Sequence, residues 1–190
     1  MERRNFIKSL GMSGGLIATT HFFNSCKTST AADSGSFDDD AELVKAGADF
    51  EAMGVKTYEI AAASGFLTDQ AVINTAVAYM NDHKAHLATL NALLASFGFD
   101  EIDGTNAQPA AGVADVKNQT DVVNLALSVE FDAASFYFSG IVNEIQSIEA
   151  RRVFANILPV ETAHFVTYKS LLGYNPAIDG SFFEDLSSGL

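Results

Sequence analysis

The sequence predicts an all-α protein, a bundle of four helices with one long crossover between the second helix and the third. From residue 41 onward, apolar residues recur at spacings of three and four, and strand-like alternation is scarce. The chain has 190 residues, 48% of them hydrophobic, which is enough for one packed core. Two predicted connections are short, so the helices that they join must be antiparallel.

Turn and capping residues place the first two helices. The first is expected at about 40–64, ending before Gly65. The second is expected at about 69–97, with Thr68 as its N-cap and Gly98 just past its end. A short polar side chain favours a helix start, and a glycine readily takes the left-handed conformation that ends a helix.

The other two helices are placed by the same signals. The third is expected at about 121–146, after Thr120. The fourth is expected at about 148–172, begun by Ser147 and stopped by Gly173.

The stretch 98–119 has a different composition, with Gly, Pro, Asp and Asn and no strong period, and it is predicted to be a loop. About twenty extended residues can span ~65 Å. A helix of the predicted length measures only about 40 Å. The loop can therefore return the chain along the whole bundle.

Composition excludes several classes of function. The chain carries 24 acidic against 11 basic residues, a formal net charge of −13. Such a surface is repelled by phosphate backbones and by anionic lipid head groups, so no nucleic-acid partner is expected. A single Cys excludes an internal disulfide framework and any Cys-rich zinc or iron–sulfur site.

Residues 1–26 are predicted to be an export signal. The run RRNFIK at 3–8, followed by a weakly apolar stretch, resembles the twin-arginine export motif. The run FNSC at 23–26 resembles a loose lipobox, so Cys26 is expected either to be acylated as a membrane tether or to be left near a simple cleavage site. The protein is therefore predicted to be exported, either periplasmic or anchored to the membrane.

The remaining boundaries follow from composition. Residues 27–40 are small, polar and acidic, which is typical of a flexible tether. The bundle is expected over 41–173, and the tail 174–190 is expected to pack against it.

The two halves of the bundle repeat each other. Glu51 is followed seven residues later by Tyr58, and Glu130 is followed seven residues later by Tyr137. Seven residues are two helical turns, so each pair shares one helix face. The run HKAH at 83–86 matches the run ETAH at 161–164, and three of the four histidines fall in these runs.

These matched positions predict a metal centre. A buried carboxylate is costly unless it is paired, protonated or bound to a metal. Residues at i and i+3 of a helix can bind the same ion, and two such helices plus a Glu from each of the others form the ligand set of dimetal carboxylate bundles. The candidate ligands are Glu51, His83, His86, Glu130, Glu161 and His164.

Carboxylate and imidazole ligands suit iron, the expected metal, with manganese and zinc as alternatives. One interpretation of these residues without a bound metal stays open. Glu51 and Glu130 can instead be buried acids that accept hydrogen bonds from Tyr58 and Tyr137.

The runs LALSVEFDAASFY and ILPVETAHFVTYKSLLG resemble the ferritin-like domain family of exported bacterial proteins, which is related to desiccation-associated proteins of plants. The resemblance covers about residues 41–173. It implies a ferritin-like four-helix bundle, and the matching positions are the six candidate ligands above.

The chain departs from the ferritin-like pattern in one place. That pattern has Glu-x-x-His in both helix pairs, whereas this chain has His83-x-x-His86 in the second helix. Two divalent ions carry four positive charges, and three carboxylates leave one of them uncompensated. Asp82 could supply the missing acid, although apolar Val160 occupies its matched position. The departure favours a single ion, zinc, or a site without redox turnover.

Two functions follow from these observations. The first is an oxidative metal centre for Fe(II) oxidation or for reduction of peroxide or dioxygen. The alternative is a non-catalytic, stress-related or interaction bundle without a working metal site.

Overall fold

The computed structural model describes residues 34–177, and this part of the chain forms a bundle of long helices. The all-α prediction is confirmed, since the described residues contain no strand. The predictions for the export signal, Cys26 and most of the tail fall outside these residues. The long helices are α1 (Ser34–Ala63), α2 (Gln70–Phe97), α3 (Gln119–Ser139) and α4 (Ile148–Leu171).

Helix α1 begins earlier than predicted and includes the end of the stretch assigned to the tether. Asp40 is buried, and its carboxylate accepts hydrogen bonds from the backbone N–H groups of Gln146 (2.8 Å) and Ser147 (2.6 Å). These bonds connect the first part of α1 to the turn before α4. Because the two partners lie far apart in the sequence, local composition gave no sign of this contact.

The helix caps differ from the predicted ones in two places. Asp69, and not Thr68, caps α2, and Asn118, and not Thr120, caps α3. Asp and Asn accept the hydrogen bond of an exposed helical N–H at least as well as Thr does. Ser147 caps α4 as predicted.

Helix α3 is shorter than its predicted range, which extended to residue 146. It ends at Ser139 and continues as a π-helical turn, Gly140–Glu144. A Cβ atom at Gly140 would lie 2.7 Å from the ring of Phe154, which is fully buried on α4. The backbone therefore approaches α4 closely where α3 ends.

The crossover lies against α1. Its length was predicted to be enough to return the chain along the whole bundle. It contains two short 3₁₀ turns, Gly104–Asn106 and Val113–Asp115. The N–H of Ala110 donates to the hydroxyl of Thr57 at 2.7 Å. This contact holds the crossover against the middle of the bundle.

Helix α1 packs mainly on α2, and α3 packs mainly on α4. The apolar core has two main parts. The larger includes Leu90, Leu94, Tyr137 and Phe154, and the other includes Tyr58, Val72, Val123 and Tyr168. Along the helices, the buried acids and imidazoles fall between these two parts.

We expect Asp40→Ala to lower the free energy of unfolding by about 1–3 kcal/mol, because it removes the charged acceptor of two backbone N–H groups in the turn before α4. The neighbouring Asp39 is exposed, so Asp39→Ala is the matched control and should change stability by less than about 0.5 kcal/mol. Urea unfolding of both variants measures the difference. Equal stabilities would show that the Asp40 contact does not stabilise the fold.

Candidate metal centre

The six residues predicted as ligands lie together in the interior. Each of α1 and α3 contributes one Glu, α2 contributes two His, and α4 contributes a Glu and a His. The residues are Glu51, His83, His86, Glu130, Glu161 and His164. Five of them are buried, and the side chain of His86 is 12% exposed. That these residues bind a metal stays a prediction.

Their ligand atoms form two overlapping groups, and in each group the atoms lie within 4.8 Å of one another. His83 and Glu161 belong to both groups. The first group adds Glu51 and His86, and the second adds Glu130 and His164. The cluster thus offers two candidate positions for a metal ion, and the side chains of His83 and Glu161 belong to both.

Glu161 and His86 are the strongest indication that a cation fits here. The Oε1 atom of Glu161 lies 2.7 Å from Nδ1 of His86, yet neither atom is aligned for a hydrogen bond. Oε2 of Glu161 also has no hydrogen-bond partner among the described residues. Buried polar atoms without partners cost about 1–3 kcal/mol each, and more when charged. A metal ion would satisfy all three atoms.

His83 lies between two carboxylates. Its Nδ1 is 2.6 Å from Oε2 of Glu51, and its Nε2 is 3.3 Å from Oε1 of Glu130. The ring therefore connects α1 with α3 across the interior. The ferritin-like pattern has a fourth carboxylate where this chain offers His83 or the neighbouring Asp82. Of these two, His83 is the residue that lies inside both groups.

Asp82 lies outside the centre and contacts the far side of one of its histidines. Its Oδ2 is 3.1 Å from Nε2 of His164, whose Nδ1 faces Oε2 of Glu130 at 3.1 Å. Histidines that bind metals commonly donate their other N–H to such a carboxylate, which fixes the ring. The ring of Tyr79 also stacks on His164, with the ring centres 3.7 Å apart.

The two tyrosines of the repeat bond across the halves of the chain. The hydroxyl of Tyr58 donates to Glu130, and the hydroxyl of Tyr137 donates to Glu51. The repeat placed each Tyr on the same face as the Glu of its own helix, but that Glu is two turns away. Each hydroxyl therefore reaches the Glu of the facing helix.

Sequence reasoning did not single out Tyr168 or Tyr79. The hydroxyls of Tyr58 and Tyr168 are 2.9 Å apart. Tyr168 follows His164 by one helical turn, and Tyr79 precedes His83 by one turn. That spacing was the available signal, since residues at i and i+4 share a helix face.

The pKa values of His86 and His164 reflect this packing. Burial by itself lowers the pKa of His86, but the carboxylates of Glu161 and Glu51 outweigh it and raise that pKa to about 9. The pKa of His164 is likewise lowered by burial and raised by Glu130 and Glu161, again to about 9. In the absence of metal, both imidazoles therefore carry a positive charge near neutral pH.

The pKa of Glu130 and the pKa values of the two tyrosines shift in opposite directions. Burial raises the pKa of Glu130, but His164 and His83 outweigh it and hold that pKa well below its ordinary value. Burial, followed by the nearby carboxylates, raises the pKa values of Tyr58 and Tyr137 well above 10. The tyrosines therefore remain hydrogen-bond donors.

Comparison with a solved structure supports the fold. The chain is similar to a conserved hypothetical protein, rv2844, from Mycobacterium tuberculosis, with a TM-score of 0.61 and 18% sequence identity. The similarity covers 78% of this chain and 99% of that one. None of the curated proteins matches the chain.

A family model supplies the assignment. The model of the ferritin-like domain matches residues 61–174, which include α2, the crossover, α3 and α4. The match contains five of the six clustered residues, and α1 adds Glu51. The chain belongs to the ferritin-like domain family.

Proposed function

We propose that this protein binds one or two transition-metal ions at the Glu/His centre. The observation that carries the proposal is the pair of buried Glu161 oxygens without hydrogen-bond partners, beside Nδ1 of His86, which is close to Glu161 but also has no aligned hydrogen bond. Glu51 and Glu130 would be terminal ligands, as would His86 and His164. Glu161 would bridge or chelate, and His83 would replace the carboxylate that the ferritin-like pattern has at its position.

Iron is the metal that we expect, with manganese or zinc as alternatives, because hard carboxylate oxygens and imidazoles suit all three. Bound iron or manganese would supply one-electron redox chemistry for Fe(II) oxidation or for reduction of peroxide or dioxygen. The chain itself contributes burial, which excludes water from the centre. Tyr58 and Tyr137 hold protons on their hydroxyl oxygens and keep Glu130 and Glu51 in position.

A second function is favoured by a different observation. Glu51 and Glu130 have hydrogen-bond partners from both Tyr and His side chains, so these two acids can be accommodated without metal. In that case the bundle would be a non-catalytic stress-related or interaction module. Metal analysis distinguishes the two functions.

We also propose that the protein is exported, either periplasmic or tethered through an acylated Cys26. The support is the RRNFIK run at 3–8 and the FNSC run at 23–26. Mass spectrometry of the protein from its native host should find a chain without its first residues, with or without lipid on Cys26. An intact N-terminus on the mature protein would contradict export by cleavage.

Metal content is the direct test of the proposed function. We expect the purified protein, after reconstitution with Fe(II), to retain about one or two ions per chain. Glu51→Gln/Glu130→Gln should lose them, because an amide is a much poorer ligand than a carboxylate. The Gln side chains keep the shape and the acceptor oxygens for the tyrosines, so the fold should persist.

Equal, near-zero metal in both proteins would favour the non-catalytic bundle. Redox turnover has its own readout. The iron-loaded protein should consume peroxide faster than the double variant, and equal rates would remove the oxidative part of the proposal.

Asp82→Asn should weaken metal binding by about 10–100-fold, since it loosens the hydrogen bond that orients His164. Asp132 is exposed on α3, so Asp132→Asn removes the same charge without touching the centre and serves as the control. Competition with a coloured chelator measures both affinities. An unchanged affinity in Asp82→Asn would mean that Asp82 does not position the ring.

Metal affinity should depend on pH with a definite sign. Because the pKa values of His86 and His164 in the metal-free protein are about 9, protons compete with the ion below that pH. The apparent affinity should rise as the pH is increased from about 6 to about 9 and should be lost in acid. Titration of metal at several pH values measures this, and a flat profile would contradict imidazole ligation.

A further inference from the structure

We propose that His83 bridges the two metal positions as an imidazolate, with one ring nitrogen bound to each ion. The inference depends on the proposed metal-binding function, and it identifies the side chain that joins the two ions. A bridging His83 differs from a His that binds one ion in place of a Glu, because binding of the second ion would then also require His83.

The ring of His83 belongs to both groups of ligand atoms. His83 faces Glu51 through Nδ1, at 2.6 Å, and Glu130 through Nε2, at 3.3 Å. Glu51 and Glu130 belong to different groups of ligand atoms, whereas His83 belongs to both. The two nitrogens of an imidazole point away from each other, so they bind two different ions and cannot chelate one.

The facing helix provides space for the ring. A Cβ atom at Gly54 would lie 3.2 Å from Nδ1 of His83 and 3.3 Å from two ring carbons. The matched position in the other half is Ala133, which is buried on α3, in the half where Glu161 replaces His83. Glycine is unfavourable in the middle of a helix, so its presence beside His83 indicates that the space serves the imidazole.

A bridging imidazolate would also balance the charge of the centre. Two divalent ions carry four positive charges, and the three clustered carboxylates provide three negative ones. An imidazolate adds the fourth, so the buried centre becomes neutral. In this exchange each ion binds the lone pair of one ring nitrogen of His83, and the single N–H proton of the neutral imidazole leaves to solvent.

Glu161 completes the arrangement from the matched position on α4. Its Oε1 lies near Nδ1 of His86 at 2.7 Å, and its Oε2 lies near Nδ1 of His164 at 3.4 Å. One oxygen thus faces each group of ligand atoms. His83 and Glu161 are repeat-related residues, and the same bridging task falls to an imidazole in one half and to a carboxylate in the other.

The test uses Cu(II) as a magnetic probe in the full chain. After metal is removed with chelator and Cu(II) is added, the unaltered protein should bind two more ions than Glu51→Gln/Glu130→Gln. The double variant corrects for copper bound elsewhere in the chain. Electron paramagnetic resonance should show an exchange-coupled copper pair, since an imidazolate transmits coupling between its two nitrogens.

His83→Gln removes the anionic bridge, and the coupled signal should disappear. Lys84→Gln changes the adjacent, exposed residue of the same helix and should leave the coupled pair unchanged. Should His83→Gln fail to fold, His83→Glu decides the question, because it restores the matched Glu-x-x-His spacing. That variant should bind two ions with a different coupling.

Three results would overturn the inference. They are a single copper ion with an uncoupled spectrum in the unaltered protein, a coupled pair that persists in His83→Gln, and a coupling in His83→Glu identical to that of the unaltered protein. Failure of the underlying metal-binding function looks different. In that case the unaltered protein and Glu51→Gln/Glu130→Gln would hold equal amounts of copper.

Discussion

Three carboxylates, those of Glu51, Glu130 and Glu161, lie in the interior of the bundle with no exposed surface. The transfer of an ionised carboxylate out of water costs several kcal/mol, so positive charge or hydrogen-bond donors must face these oxygens. Three imidazoles and two tyrosine hydroxyls do so from the neighbouring helices. The helix order, the crossover and the two apolar regions together hold these groups at the same level along the bundle. A metal ion would complete the compensation at Glu161, whose two oxygens, unlike those of Glu51 and Glu130, lack hydrogen bonds within the described part of the chain.

The two halves of the chain share a plan but are no longer equivalent. His83 stands opposite the matched Glu161, and Asp82 stands where the other half has Val160. Asp82 contacts the outer nitrogen of His164, whereas the residue that matches Asp82 in the other half, Val160, has no carboxylate to offer. Departures at matched positions make the two proposed metal positions chemically different. A site with unequal positions favours different affinities for its two ions over a symmetric pair.

Periodicity, glycines and the internal repeat were sufficient to predict the four helices, the crossover and the six clustered side chains. These features depend on local spacing, which the sequence displays directly. Contacts between distant segments were not predictable in this way. The hydrogen bonds of Asp40 to the turn before α4 and the crossed pairing of Tyr58 with Glu130 both depend on how the helices pack. The close approach of Gly140, the first residue of the π-helical turn, to the ring of Phe154 likewise joins residues that are distant in the sequence.

The central claim is that the buried acids and imidazoles surround metal. The most direct measurement is a crystal structure of the iron-reconstituted protein, with anomalous diffraction recorded on both sides of the iron absorption edge. The account predicts anomalous density between Glu161 and the three imidazoles, within bonding distance of its carboxylate oxygens. The contradictory result would be no anomalous density there, with the six side chains bonded only to one another.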